Sequence, residues 1–182
     1  MRFLVRGSAF AVPRTFLFSE YDMNENNIDF TCCFFGHRKI EVTQELKTKL
    51  KTEIEKLITE NKVDTFLFGS NSLFNSLCLE VVTELKIKFP HINRFYIRAE
   101  YPYISEHYKE YLLEDYEETY FPERLLNSGK AVYVERNYEM IDKSCYCIVY
   151  LDEKFAPTKR KSGTKIALDY AKKKKRVIIG NF

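Results

Sequence analysis

Three residues that can bind an anion follow directly on a short apolar run. The run is TCCFF (residues 31–35), and Gly36, His37 and Arg38 come after it. An arginine pairs with phosphate or carboxylate through two parallel hydrogen bonds, and a glycine lets the backbone turn close to a ligand. The sequence therefore predicts a ligand-binding turn here, with His37 as a hydrogen-bond donor. The alternatives are an ordinary strand-to-helix turn and a surface ion pair of Arg38.

Two further turns carry small polar residues that suit an anion. They are Gly69, Ser70 and Asn71 after a second apolar run, and Ser162, Gly163 and Thr164 before a helical pattern. The free N–H groups and the positive dipole end at the start of a helix attract anions, and a serine there can also serve as an N-cap. Both roles stay open, and anion binding is the preferred interpretation at residues 162–164.

Arg136 and Asn137 complete the candidate ligand-binding set. They follow a strand predicted over residues 130–135, where Arg136 would neutralise phosphate together with Arg38. Glu80 lies inside a helical pattern and is better explained as a solvated or ion-paired group than as a general base. No catalytic residue is assigned, and no cluster has the spacing of metal ligands.

Two basic runs could contact nucleic acid, at residues 159–161 (KRK) and 172–176 (KKKKR). The second run is better explained as the solvated end of a helix, where cations complement the dipole. Neither run is interleaved with the aromatic residues on which single-strand binders stack bases. Nucleic acid is therefore the less favoured partner.

The elements that must position these residues alternate between apolar runs and amphipathic patterns. Strands are predicted over residues 29–35, 63–68, 92–98, 130–135, 145–151 and 176–179, and helices over 42–60, 72–89, 105–118 and 163–174, with a short helical connector at 136–143. This alternation predicts a three-layer α/β domain with a mostly parallel sheet of five to six strands and helices on both faces. Ligands of such sheets bind outside the carboxyl ends of the strands, so the candidate turns are expected to meet at one edge.

Length and composition indicate one globular domain. The 182 residues are 45% hydrophobic and 30% charged, and the net charge of +3 is too small to indicate nucleic acid by itself. The five cysteines lack C-x-x-C spacing and predict buried thiols in a cytoplasmic protein. No run approaches the ~18 apolar residues of a membrane span.

The chain is expected to divide at about residue 28. Residues 1–28 are predicted to be a poorly ordered extension, and residues 29–182 the folded domain. Within the domain, residues 101–123 are rich in tyrosine and acidic side chains. This segment is a candidate lid or a surface for self-association.

Over about residues 30–179 the chain resembles the SLOG superfamily, in its YpsA-like branch. The resemblance is carried by CCFFGHR (32–38), Gly69, ERNYEMID (135–142) and the SGT turn (162–164) with the lysine-rich helix after it. It implies a Rossmann-like fold related to the DNA-processing protein DprA and to the LOG phosphoribohydrolases that activate cytokinins. It also implies binding of nucleotides or nucleotide-derived ligands.

The sequence departs from the pattern of these relatives at three places. Asn75 stands where an acid is expected, Ser162 replaces a glycine, and Thr164 is followed by KIA instead of completing the signature P-G-G-x-G-T-x-x-E. Because an amide cannot act as a base, these changes argue against catalysis more than against binding.

The preferred function is binding of a nucleotide or nucleotide-derived anion at the carboxyl ends of the strands, as a sensor or accessory protein. A small nucleotide-like ligand is the expected partner, and no cofactor is required. Two alternatives remain. One is a LOG-type hydrolase of nucleotide N-glycosidic bonds with Glu80 or Glu100 as acid/base, and the other is a DprA-like nucleic-acid-binding module.

Overall fold

The computed structural model describes residues 25–123, 125, 129–152, 154 and 161–180. A 3-10 helix, Glu25–Phe30, precedes six strands and five helices in this part of the chain. In order they are β1 (Thr31–Gly36), α1 (Gln44–Glu60), β2 (Thr65–Phe68), α2 (Leu73–Lys88), β3 (Asn93–Ile97), α3 (Glu106–Leu113), β4 (Glu118–Tyr120), α4 (Ala131–Asp142), β5 (Tyr146–Tyr150), α5 (Gly163–Lys173) and β6 (Val177–Ile179).

The six strands form one sheet in which every pairing is parallel. The strand order is β4-β3-β2-β1-β5-β6, so the chain builds outward from β1 to β4 and then returns to place β5 on the other side of β1. The order reverses between β1 and β5, which is the position where open α/β sheets form a ligand crevice. The α/β class and the parallel sheet predicted from the sequence are confirmed.

The central strand β1 is apolar throughout because both of its faces are covered. Cys32 and Phe34 belong to a core with α1 and α2, whereas Cys33 and Phe35 belong to a second core with α4 and α5. Successive side chains of a strand point to opposite faces, and a strand buried on both faces shows an unbroken apolar run. The unbroken apolar run TCCFF is therefore explained by helices that cover both faces of the sheet.

The strand predicted over residues 130–135 is wrong, because Lys130 is the N-cap of α4 and residues 131–135 form its first turns. The buried side chains Val132, Arg136 and Met140 are spaced by four residues, which is the helical period. The AVYV stretch is rich in β-branched and aromatic residues that favour strands, but packing against α5 and the sheet decides for a helix. The strand β4 lies instead in the tyrosine- and acid-rich segment. It has three residues, of which only Thr119 is buried, so no apolar run marks it.

Residues 1–24 of the predicted extension lie outside the described residues. The 3-10 helix that follows is attached to the sheet, since the carbonyl of Ile28 accepts the N–H of Cys145 at 2.8 Å and that of Phe30 accepts the N–H of Asp64 at 3.0 Å. Among the described helices, none is both long and apolar enough to cross a membrane.

Arg94 and Glu117 hold the edge strand β4 against the rest of the sheet. The Arg94 guanidinium donates to both carboxylate oxygens of Glu117, at 3.2 and 2.7 Å, and to Thr83 Oγ1 at 2.7 Å. The backbone N–H of Arg94 donates to the same carboxylate at 2.6 Å. Burial by itself raises the pKa of Glu117, but the hydrogen bonds from Arg94 outweigh it and lower the pKa below its usual value near 4.5.

We expect Glu117→Gln to lower the free energy of unfolding by about 1–3 kcal/mol, because it leaves the buried Arg94 without its counter-charge. The depressed pKa means that this stabilisation is present above pH 4.5 and is lost as the pH falls through the lower folded-state value. Urea unfolding at pH 7 and at pH 3 measures both effects, and Glu55→Gln, in an exposed pair with Lys88, is the control. Equal losses for both variants at pH 7 would contradict the assignment.

Candidate functional site

The turn after β1 lies at the reversal of strand order. His37 is buried there and contacts Asp152, which follows β5. Burial lowers the pKa of His37. Asp152 raises it by less than burial lowers it, so the imidazole is neutral at pH 7. The side chain of Arg38 is exposed, while its carbonyl accepts the N–H of Leu73 at 3.1 Å. The turn is thus connected to β5 on one side and to the start of α2 on the other.

Gly36 is required by packing against Phe74 in α2. A Cβ built on Gly36 would lie 2.5 Å from the Cβ of Phe74, and closer still to two atoms of its ring. The Phe74 ring is fully buried and stacks on Tyr150 of β5, with centroids 5.4 Å apart. Phe74, and no ligand, therefore occupies the space directly above Gly36.

Gly69 packs closely against Arg136, which reaches the carboxyl edge of the sheet from within α4. A Cβ at Gly69 would lie 2.6 Å from Nη1 of Arg136. The same nitrogen donates to the carbonyl of Ile97 at the end of β3, at 3.1 Å, and Nε donates to Asn137 Oδ1 at 3.0 Å. Arg136 and Asn137 do not follow a strand as predicted, but the guanidinium lies at the ends of β2 and β3.

The charge of Arg136 has no acidic partner among the described residues. Its side chain is 3% exposed, and its hydrogen bonds go to a carbonyl and an amide. Burial lowers the pKa of Arg136 to about 10, so the group remains charged at neutral pH. Buried charges are normally paired. A cation left in this state at a sheet edge is a point where an anion would be stabilised.

The serines of the candidate set serve as hydrogen-bond acceptors in the turns. Ser70 Oγ accepts the N–H of Ser72 at 3.2 Å, and Ser162 Oγ accepts the N–H of Lys165 at 3.1 Å as the N-cap of α5. Thr164 is buried, whereas a Cβ at Gly163 would meet no atom within 4 Å. The first turn of α5 is therefore capped, and Gly163 faces open space.

Two cavities open at the carboxyl edge of the sheet. The first, the switch-point cavity, has a volume of about 230 Å³ and carries charges of both signs from Glu41, Glu45, Lys49, Asp152 and Lys154. The second, the tyrosine cavity, has a volume of about 280 Å³. It is lined chiefly by Asn71, Asn75, Tyr96, Tyr108, Tyr111 and Tyr116, and Asp115 is the charged residue of its lining.

The two cavities differ in their suitability for an anion. Three carboxylates and two ammonium groups line the switch-point cavity, and one carboxylate, Asp115, lines the tyrosine cavity, so neither lining attracts a phosphate by itself. The tyrosine cavity begins at Ser70 and Asn71, one residue beyond the glycine that packs on Arg136. The Arg136 charge is therefore what favours the ends of β2 and β3 over the reversal point itself.

Glu80 and Glu100, the two acids considered for catalysis, are exposed. Glu80 pairs with Lys47 at 2.5 Å, and Glu100 accepts a hydrogen bond from the Tyr133 hydroxyl. The ion-paired interpretation of Glu80 is confirmed. Among the described residues, no group of three or more His, Cys, Asp or Glu side chains is arranged to hold a metal ion.

Three residues of the basic runs have partners in the described part of the chain, and Lys172, Lys173 and Lys175 are exposed. Lys161 pairs with Asp169 at 2.8 Å, whereas residues 159 and 160 lie outside the described residues. Lys174 pairs with Asp142 at 2.7 Å, and Arg176 donates to the carbonyls of Ile141 and Asp142 at the end of α4. The run at residues 172–176 precedes β6 and so lies at the amino edge of the sheet, opposite the candidate site.

Sequence reasoning did not predict that Asn75 and the tyrosines line one cavity. The signal was present, because the tyrosine-rich segment stood out and Asn75 was recognised as a departure from the expected acid. What could not be predicted is that α3 brings Tyr108 and Tyr111 beside the first turn of α2, since this contact joins segments about 35 residues apart.

Two comparisons with known proteins give matches, one to a protein family and one to a solved structure. The model of the family described as the YspA SLOG family, YpsA, matches residues 29–179. The structure of DNA processing protein A (DprA) from Streptococcus pneumoniae is similar with a TM-score of 0.54 and 11% identity, over 82% of this chain and 49% of that one. The chain thus spans about half of that protein, and the likeness concerns the fold. No curated protein gives a significant sequence match. Since the family model covers nearly the whole described sheet, the chain belongs to the YpsA SLOG family.

Proposed function

We propose that this protein binds a nucleotide or a nucleotide-derived anion at the carboxyl edge of its sheet, near the ends of β2 and β3. The observation that carries the proposal is the buried Arg136 guanidinium, which lacks an acidic partner among the described residues. Its position against Gly69 brings the charge to the turn that precedes α2.

A bound anion would change the electrostatics of Arg136. Burial without a counter-charge disfavours the charged form, which is why the pKa of Arg136 falls to about 10. A phosphate beside the guanidinium would supply that charge and form charge-assisted hydrogen bonds with it. The cost of burying Arg136 in the free protein would then be offset in the complex.

Other groups at the same edge favour a phosphate. The Arg38 side chain is exposed, and none of the ion pairs in the described part of the chain includes it. Because the carbonyl of Arg38 accepts the N–H of Leu73, the first residue of α2, Arg38 lies beside the positive end of that helix. Ser70 and Asn71 add polar groups to the same turn. These residues are suited to binding and orienting a ligand, and they include no general base.

We expect the wild-type protein to bind AMP, ADP-ribose or NAD in titration calorimetry, and Arg38→Ala to weaken that binding about 10-fold or more. The reason is that hydrogen bonds to charged groups contribute about 1.5–3 kcal/mol. Lys172→Ala is the control. This lysine lies in the last turn of α5, at the amino edge of the sheet and opposite the candidate site. A wild-type protein that binds none of these nucleotides would overturn the proposal.

A further inference from the structure

One residue that lines the tyrosine cavity, Asn75, has a buried side-chain amide without a partner among the described residues. Asn75 is 3% exposed, and within the described part of the chain neither its Nδ2 nor its Oδ1 has a hydrogen-bond partner. Buried polar atoms in native proteins are nearly always paired, so an exception calls for an explanation. The residue lies in the first turn of α2, and its backbone N–H is already bonded to Ser72 Oγ at 3.2 Å.

The walls of the same cavity consist largely of aromatic rings. Tyr96 and Tyr116 lie with ring centroids 5.2 Å apart, and Tyr108 and Tyr111 of α3 stack at 6.1 Å and 20°. Tyr108 and Tyr111 are 43% and 61% exposed, although each offers a broad apolar face. An exposed pair of rings at the mouth of a cavity is a surface on which a planar group can stack.

The size and position of the cavity fit one part of a nucleotide. Its volume of about 280 Å³ lies near the lower end of the ~300–1,000 Å³ of small-molecule sites. The turn that lines it through Ser70 and Asn71 packs on Arg136 through the preceding Gly69. A ligand with its anionic group near Arg136 would therefore have its next portion at the tyrosines.

We infer that the tyrosine cavity is a nucleobase subsite, in which Asn75 forms paired hydrogen bonds with the base edge and the tyrosines stack on the base. An asparagine amide presents one donor and one acceptor side by side, which is the complement of adenine's N7 acceptor and N6 donor. Stacking on aromatic rings holds a base without strong preference for its identity. The Asn75 amide is therefore the group that would distinguish adenine from other bases. The inference rests on the proposed function, because the base and the anion belong to one ligand.

The test compares AMP with ribose 5-phosphate, which has the same sugar and phosphate but no base. We expect calorimetry to show AMP binding at least ~10-fold more tightly, because stacking and paired hydrogen bonds each contribute that order of affinity. Asn75→Leu conserves shape and removes both polar atoms. It should weaken AMP binding by ~5-fold or more, leave ribose 5-phosphate binding unchanged, and raise the thermal midpoint of the free protein.

The aromatic wall is tested separately with Tyr111→Ala. Because Tyr111 is 61% exposed, we expect this variant to fold as the wild type does. It should weaken AMP binding ~5-fold or more and leave ribose 5-phosphate binding unchanged. Tyr103→Ala is the matched control, since Tyr103 is 92% exposed and does not line the cavity.

The outcomes separate the two proposals. Equal affinities of the wild-type protein for AMP and ribose 5-phosphate overturn the base subsite and leave the anion site standing. If the wild-type protein binds none of AMP, ADP-ribose, NAD and ribose 5-phosphate, the proposed function itself is overturned. If Asn75→Leu weakens both compounds equally, the amide does not read the base, and the inference is wrong.

Discussion

Gly36→Ala is expected to lower the free energy of unfolding by about 3 kcal/mol, the upper part of the range for overpacking a core. The new methyl group would lie 2.5 Å from the Cβ of Phe74. Because that atom is next to the backbone of α2, a rotamer change cannot remove the clash. The helix must move, and with it the stack of Phe74 on Tyr150. Urea unfolding followed by circular dichroism measures the loss.

The control for this prediction is the same substitution at Gly163. A Cβ there meets no atom within 4 Å, and the residue begins α5, so alanine should be neutral or stabilise by about 0.4–1 kcal/mol. A Gly36→Ala variant as stable as Gly163→Ala would show that the junction of β1 and α2 is looser than its contacts indicate.

Arg136→Met is expected to weaken nucleotide binding by about 10- to 100-fold while changing the stability of the free protein by less than about 1 kcal/mol. The loss of binding follows from removing hydrogen bonds to a charged group. The small change in stability follows because the lost bond to the Ile97 carbonyl is offset by the absence of a buried charge. If Arg136 served mainly to stabilise the fold, Arg136→Met would lower the free energy of unfolding. Weaker binding with little change in stability would therefore indicate that Arg136 serves in binding.

Thermal unfolding with and without AMP measures both parts of this prediction. At an AMP concentration 100-fold above its Kd the wild-type protein should gain about 2.7 kcal/mol, and Arg136→Met should gain much less at the same concentration. Arg94→Met is the matched control, because Arg94 is also buried but pairs with Glu117. It should lose stability and retain the gain from AMP. If AMP stabilises the wild-type protein and Arg136→Met equally, Arg136 does not contribute to binding.

Most of the fold could be predicted because it rests on local patterns. The TCCFF run, the amphipathic spacing of Leu46, Leu50 and Ile54, and the serine caps each depend on neighbours within a few residues. The prediction of secondary structure failed where a local pattern was absent or indicated the wrong element. β4 has three residues with a single buried one, and the AVYV stretch of α4 resembles a strand until its packing partners are known.

The candidate site was less accessible to sequence reasoning for the same physical reason. Gly69 and Arg136 were each named as binding residues, but their mutual contact was not foreseen, because it joins the end of β2 to the middle of α4. Gly36 was interpreted as room for a ligand, whereas the structure places the Phe74 ring there. A glycine in the sequence indicates that a neighbouring group approaches the backbone closely. Only the tertiary structure shows that this group is Phe74 at Gly36 and Arg136 at Gly69.

The sequence by itself determined the α/β class, the two-sided burial of β1 and the edge of the sheet at which a ligand is expected. Hydrophobic period and turn residues act over short distances along the chain, so one sequence is enough to read them. Only the tertiary structure decided that Arg136 is buried beside Gly69 without an acid among the described residues, and that Asn75 lines the same cavity as four tyrosines. Burial and the lack of a partner are properties of contacts between distant segments, and they exist only once the sheet and its helices have packed.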